Sequence, residues 1–154
     1  MRTKIATTVL ACGLAASVTG PAQLPPRICA QYDGDPRLER LRSFFEAYRC
    51  PAAPYAREFL LAADLHGLDW RLLPSIAFVE TGAGKTAQGN NLFGWDSGRT
   101  EFASVPHAIH WVAWRLATSR LYADKDLGAL LRTYNPRPRY PRVVNSIMTR
   151  LALH

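Results

Sequence analysis

Ser75-Ile76-Ala77-Phe78-Val79-Glu80-Thr81-Gly82-Ala83-Gly84-Lys85 is an apolar run that carries a carboxylate to its end and then breaks on glycine. Glu80 stands seven residues after Leu73, four after Ile76 and three after Ala77, so a helix through them puts its carboxylate on the apolar face. Burying a carboxylate costs free energy and raises its pKa, so an acid there needs a reason. One reason is an ion pair with one of the chain's sixteen arginines. The other is general acid catalysis, which needs a group that keeps its proton near neutral pH.

Working outward, the pattern is helical almost throughout from Arg37. Asp35-Pro36 supplies a cap and a first-turn proline, and Leu38, Leu41, Phe45 and Tyr48 fall on one face before Pro51 and Pro54 break the helix. A second helix is expected from Tyr55 to His66, with Ala56, Phe59, Leu60 and Ala63 inward and Gly67 as its stop. Asp69 can cap the third helix, the one bearing Glu80, provided that Pro74 lies near its first turn. Residues 81–104 then change character. Their glycines and Asn90-Asn91 predict a loop or small β-hairpin. Ser104-Val105-Pro106 opens a long amphipathic helix over His107 to Tyr122, with Ile109, Val112, Ala113 and Leu116 at core spacing. Shorter helices are expected at Leu127 to Tyr134 and Arg142 to Leu151. The fold class expected is mainly α, five or six helices around one irregular insertion, with no internal repeat.

The 154 residues are 48% hydrophobic and 20% charged, ordinary values for one globular domain and unsuited to a disordered, collagen-like or coiled-coil chain. The net charge of +7 suits an anionic partner: nucleic acid, a membrane surface or an acidic wall polymer. Met1-Arg2-Thr3-Lys4, the uncharged stretch Ile5 to Val18 and Gly20-Pro21-Ala22 together read as a secretory signal over residues 1–22. Its apolar run is short for a spanning helix, and Cys12 sits in a poor lipidation context. Removal takes Arg2 and Lys4 and no acid, so the excess falls by two to +5. Cys29 and Cys50 are then left as an even pair, for which one disulfide is the simplest outcome in an oxidising compartment. Residues 23–36, with Pro25, Pro26, Gly34 and Pro36, read as an extended leader, and 37–154 as the domain.

The glutamate junction, followed by Asn90-Asn91-Leu92-Phe93-Gly94-Trp95, resembles the core of lysozyme-like peptidoglycan hydrolases, most closely the glucosaminidase branch, glycoside hydrolase family 73. Tyr134-Asn135-Pro136 with Tyr140 is similar to the tyrosine-bearing segment that closes the cleft in these enzymes and in lytic transglycosylases. The resemblance covers roughly residues 55–150. It implies an α+β lysozyme-like fold, a helical bundle around a cleft, and cleavage of β-1,4 glycosidic bonds of peptidoglycan strands. It makes Glu80 the general acid. Asp96 and Glu101 are the candidates for a second carboxylate, and Asn91, Phe93, Trp95, Tyr134 and Tyr140 those for substrate contact. No metal or organic cofactor is implied, and an exported monomer without stable membrane insertion is expected, acting in the periplasm or at the cell wall. A lytic transglycosylase or muramidase of the same fold remains an alternative, although the Gly-Leu-Met-Gln stretch of transglycosylases is absent.

Other motifs point elsewhere. Gly82-Ala83-Gly84-Lys85-Thr86 suggests a phosphate loop, but position 79, where the first glycine should stand, is valine and a helix precedes it. His107 and His110 share a helix face without a sequence-adjacent ligand partner. The stretch from Tyr55 to Glu80 has helix-turn-helix proportions, and Arg132, Arg137, Arg139, Arg142 and Arg150 make a basic tail, so a DNA reader is a rival class. Its would-be recognition helix carries only Arg71 as a basic residue, and the export signal argues against it. A catalytically silent wall-binding domain is the other rival.

Overall fold

A computed structural model describes residues 32–154, so the signal, Cys12 and Cys29 lie outside the described residues. Six α-helices follow one another: α1 (Pro36–Ala47), α2 (Ala56–Leu65), α3 (Leu72–Thr81), α4 (Val105–Thr118), α5 (Leu127–Tyr134) and α6 (Tyr140–Leu153). Single turns of 3-10 helix occur at Ala53–Tyr55 and Trp95–Gly98, and no strand forms among the described residues. Of the loop or small β-hairpin expected within 81–104, the loop is therefore what forms, as successive turns. Its seven-residue stretch from Gly94 to Thr100 has four positive-φ residues, at Gly94, Asp96, Ser97 and Gly98, which break the extended backbone that pairing would need.

The helix starts follow local chemistry. Asp35 caps α1 by accepting the Arg37 N–H at 2.8 Å, Ser104 caps α4 through His107 N–H at 3.2 Å, and Asp126 caps α5 through Ala129 N–H at 2.7 Å. Asp69 does not cap α3 as expected. Its carboxylate accepts the Arg71 N–H at 2.9 Å and pairs with the Arg71 guanidinium, and the helix begins one residue later at Leu72. Pro74 thus falls in the first turn, where its missing N–H breaks no intrahelical bond. Helix α4 ends at Thr118 and leaves Tyr122 in the following turn, while α6 starts at Tyr140, two residues before the expected Arg142.

The core is one cluster into which every α-helix contributes. Helix α3 lies at its centre, with all of Leu72 to Ala77 buried. It packs on α2 and α6, α2 packs on α1 and α4, and α6 also meets α1 and α5. Phe44, Phe45, Phe59, Leu41, Leu60, Leu73 and Ile76 have no exposure to solvent, and each such side chain contributes about 1.5–3 kcal/mol of transfer free energy. Tyr32, placed by its sequence in the extended leader, is in fact 1% exposed and belongs to the core. Its hydroxyl donates to Asp64 at 3.0 Å, and Arg37 bridges Asp64 and Asp35 at 2.8 and 2.7 Å. The turn before α1 is thereby tied to the end of α2.

Candidate functional site

Helix α3 ends on a glycine-dependent stop. Gly82 takes φ +63°, its N–H returns to Phe78 C=O at 2.9 Å, and Ala83 N–H reaches Ala77 C=O at 2.9 Å. Glu80 therefore sits in the last turn, half-buried, where the helix meets the loop after it. The ion pair that would give it a purely structural role is absent among the described residues. Its Oε1 is shut off from solvent and makes no well-aligned hydrogen bond among the described residues, the buried Tyr140 hydroxyl being its polar neighbour. Oε2 points at Gly94, where a Cβ would come within 3.3 Å of it.

The Asn-Leu-Phe-Gly-Trp turn is placed against Glu80 by three side chains. Thr81 Oγ1 donates to Leu92 C=O at 2.6 Å and accepts the Gly84 N–H at 3.0 Å. Asn91, 1% exposed, accepts the Trp95 N–H at 2.9 Å and donates to the carbonyls of Trp95 and Thr100 at 3.1 and 2.9 Å. From the far end of the chain, the Tyr134 hydroxyl donates to Phe93 C=O at 2.7 Å. Phe93 is thus not free for substrate as expected, and Asn91 borders only a small hollow beside Glu80. Asn91's polar atoms are all engaged in holding the loop, and Phe93 is fully buried against Phe59 with ring centroids 6.2 Å apart.

Beside Glu80 lies a pocket of about 560 Å³. Gly94, Trp95, Asp96 and Ser97 line it together with Tyr122, Tyr134 and the segment Asn135-Pro136-Arg137. Trp95 packs edge-on against Tyr134 at 5.6 Å and Trp111 at 5.0 Å, and Tyr134 stacks on Tyr140 at 6.1 Å with the rings 9° from parallel. A smaller polar hollow on the other side of Glu80 includes Thr86, Gln88 and Ser97. Of the expected contacts, Trp95 and Tyr134 line the pocket. Tyr140 does not: it is 5% exposed and backs the site from α6. Its hydroxyl is buried without a well-aligned partner, yet burial first and the neighbouring Glu80 carboxylate second hold it well above the ordinary tyrosine pKa. Burial and the Glu80 charge raise Tyr134 likewise. Both rings therefore stay neutral at any physiological pH.

The two candidate second carboxylates separate. Asp96 lines the pocket, is exposed and forms an ion pair with Arg99 at 2.5 Å, which holds its pKa below the usual carboxylate range. Glu101 is exposed and lines neither hollow. Sequence reading missed Tyr122 and Arg137 as pocket residues. Tyr122 was assigned to a helix longer than α4 proves to be, and Arg137 was read only as part of the basic C-terminal stretch, although its place after the helix-ending Asn135-Pro136 set it apart. Cys50 is buried, and its expected partner Cys29 is outside the described residues. His110 pairs with Glu58 of α2 at 3.0 Å, a contact between helices that sequence spacing could not reveal. No group of three potential metal ligands occurs among the described residues. Comparison of the chain with protein-family models, with curated proteins and with solved structures finds no match.

Proposed function

We propose that the protein is an exported glycoside hydrolase of lysozyme-like fold that cleaves β-1,4 bonds in peptidoglycan, of the endo-N-acetylglucosaminidase type, with Glu80 as the general acid. The observation that carries this reading is a carboxylate with no cationic partner among the described residues, held at the wall of an aromatic pocket by the end of a buried helix. Such a group can hand its proton to a glycosidic oxygen as the C1–O bond breaks and positive charge develops on the departing sugar ring. Trp95 and Tyr134 offer apolar faces suited to pyranose rings. Asp96, kept ionised by Arg99, is the carboxylate available to stabilise that charge or to draw a proton from attacking water.

Helix α3 bears against the DNA-binding alternative. Leu72 to Ala77 are all buried, which leaves no face for a major groove. The exposed arginines 132, 137, 139, 142 and 150 suit attachment to an anionic wall polymer. A second reading of the chemistry rests on Asp96 being engaged with Arg99: Glu80 would act alone and the sugar's own hydroxyl would trap the oxocarbenium ion, as in lytic transglycosylases.

Digestion of purified sacculi tests all of this. The unmutated protein should release muropeptides, and Glu80→Gln should lower the rate by about 10²–10⁴, the contribution of a general acid, while its melting temperature stays close to that of the parent. Full lysis by Glu80→Gln would remove Glu80 from the chemistry, and no lysis by the parent would favour a wall-binding role. Mass spectrometry of the products distinguishes a reducing end from an anhydro sugar and identifies the linkage cut.

A further inference from the structure

Arg137 is the one pocket-lining cation, and no acidic side chain pairs with it among the described residues. Its backbone is fixed from both sides. Pro136 and Pro138 flank it, its N–H donates to Asn135 Oδ1 at 3.2 Å, and its carbonyl accepts the Tyr140 N–H at 2.9 Å. Tyr140 in turn stacks on Tyr134 and backs Glu80. The guanidinium thus projects from a stiff segment anchored to the same residues that surround the acid. In the same pocket, the Asp96 charge is already matched by Arg99. That leaves Arg137 as the charged side chain lining this pocket whose charge no described acidic side chain matches.

We infer that Arg137 reads a carboxylate on the sugar strand, so that the site prefers glycans whose lactyl acid groups are free over strands in which those groups are amidated, as they are where stem peptides are attached. A planar fork of N–H donors on a preorganised backbone matches a carboxylate in two parallel hydrogen bonds and loses little entropy in doing so. The inference rests on the glycan-cleaving reading for the identity of the strand.

Equilibrium binding separates the two. Glycan strands freed of peptides, and the same strands with their carboxyl groups converted to methylamides, would be titrated into the full chain by calorimetry. The acid form is expected to bind about fivefold tighter, the size of one partly exposed charge pair, with the difference shrinking as salt rises. Arg137→Ala should abolish the preference and Arg137→Lys should restore part of it, while Arg120→Ala, which changes an exposed residue outside the pocket and outside the basic C-terminal stretch, should retain it. Equal binding of both forms, binding of neither, or a preference that survives in Arg137→Ala overturns the inference. Selective binding without cleavage would leave it standing and sink the hydrolase reading instead.

Discussion

Gly94 is required twice over. Its φ of +58° lies in the left-handed region that side chains other than Asn and Asp rarely adopt, and any Cβ would press on the Glu80 carboxylate at 3.3 Å. Gly94→Ala should therefore displace Glu80 or the loop. The expected outcome is a loss of about 1–2 kcal/mol in stability, from the strained dihedral, together with a fall in lysis larger than that loss explains. Thermal melts alongside sacculus digestion would show whether activity drops more than the folded fraction. Asp96 and Ser97 carry the same positive-φ strain without glycine's freedom, at φ +52° and +55°. Strain of this kind persists only where the surroundings enforce it, and here it turns the loop towards the pocket.

At the level of elements, the site depends on cross-links between α3, the loop after it and α5. Asn91 is the central tie, with three hydrogen bonds to the loop's own backbone. Asn91→Ala leaves the Trp95 N–H and two carbonyls without that partner. It should cost about 1–3 kcal/mol, in keeping with buried polar groups left unsatisfied, read as a shift in the denaturant midpoint. The helices themselves were legible in the sequence because apolar spacing and breakers agree: Asp35 and Ser104 cap where expected, although Asp69 does not. Glu80 was legible for the same reason, since helical period alone places it on the buried face. What sequence could not convey is pairing at a distance. Phe93 and Asn91 look like surface contacts in a loop motif, and only the Tyr134 bond from 41 residues away and the engaged Asn91 amide show them to be supports. Arg137 was visible only as one of a run of C-terminal arginines, because it lies outside any periodic element that would place it at the pocket. Between the loop and the small hairpin expected after α3, the sequence could not choose, because glycines and asparagines mark a turn without specifying whether strands flank it.

Across the whole molecule, pH should act on stability from both ends. Hydrogen bonds from Arg37 and Arg71 hold Asp35 and Asp69 below the usual carboxylate range. A depressed folded pKa contributes stability that is present above the unfolded value of about 4 and is lost as pH falls through the folded one. Arg37→Ala should flatten the acid limb of a plot of unfolding midpoint against pH. On the alkaline side, burial first and then the Asp64 carboxylate push the Tyr32 hydroxyl up to about 12, and Tyr134 and Tyr140 are raised as well. A raised pKa contributes stability that is complete below the unfolded value of about 10 and declines as pH rises past it, so stability should fall from pH about 10 upward. Phenolate absorbance would follow it: these tyrosines should ionise only together with unfolding, and their free titration near pH 10 in the native state would contradict their burial.

The pocket takes its walls from Glu80, from residues 94–97, from Tyr122 and from 134–137, and it is closed when Tyr134 reaches back to Phe93. No contiguous fragment contains it. A polypeptide emerging from a ribosome would carry Glu80 long before the pocket beside it exists. That pocket forms only when the C-terminal helices have docked, so on the proposed reading the order of synthesis gives Glu80 its site last, once the whole domain is in place.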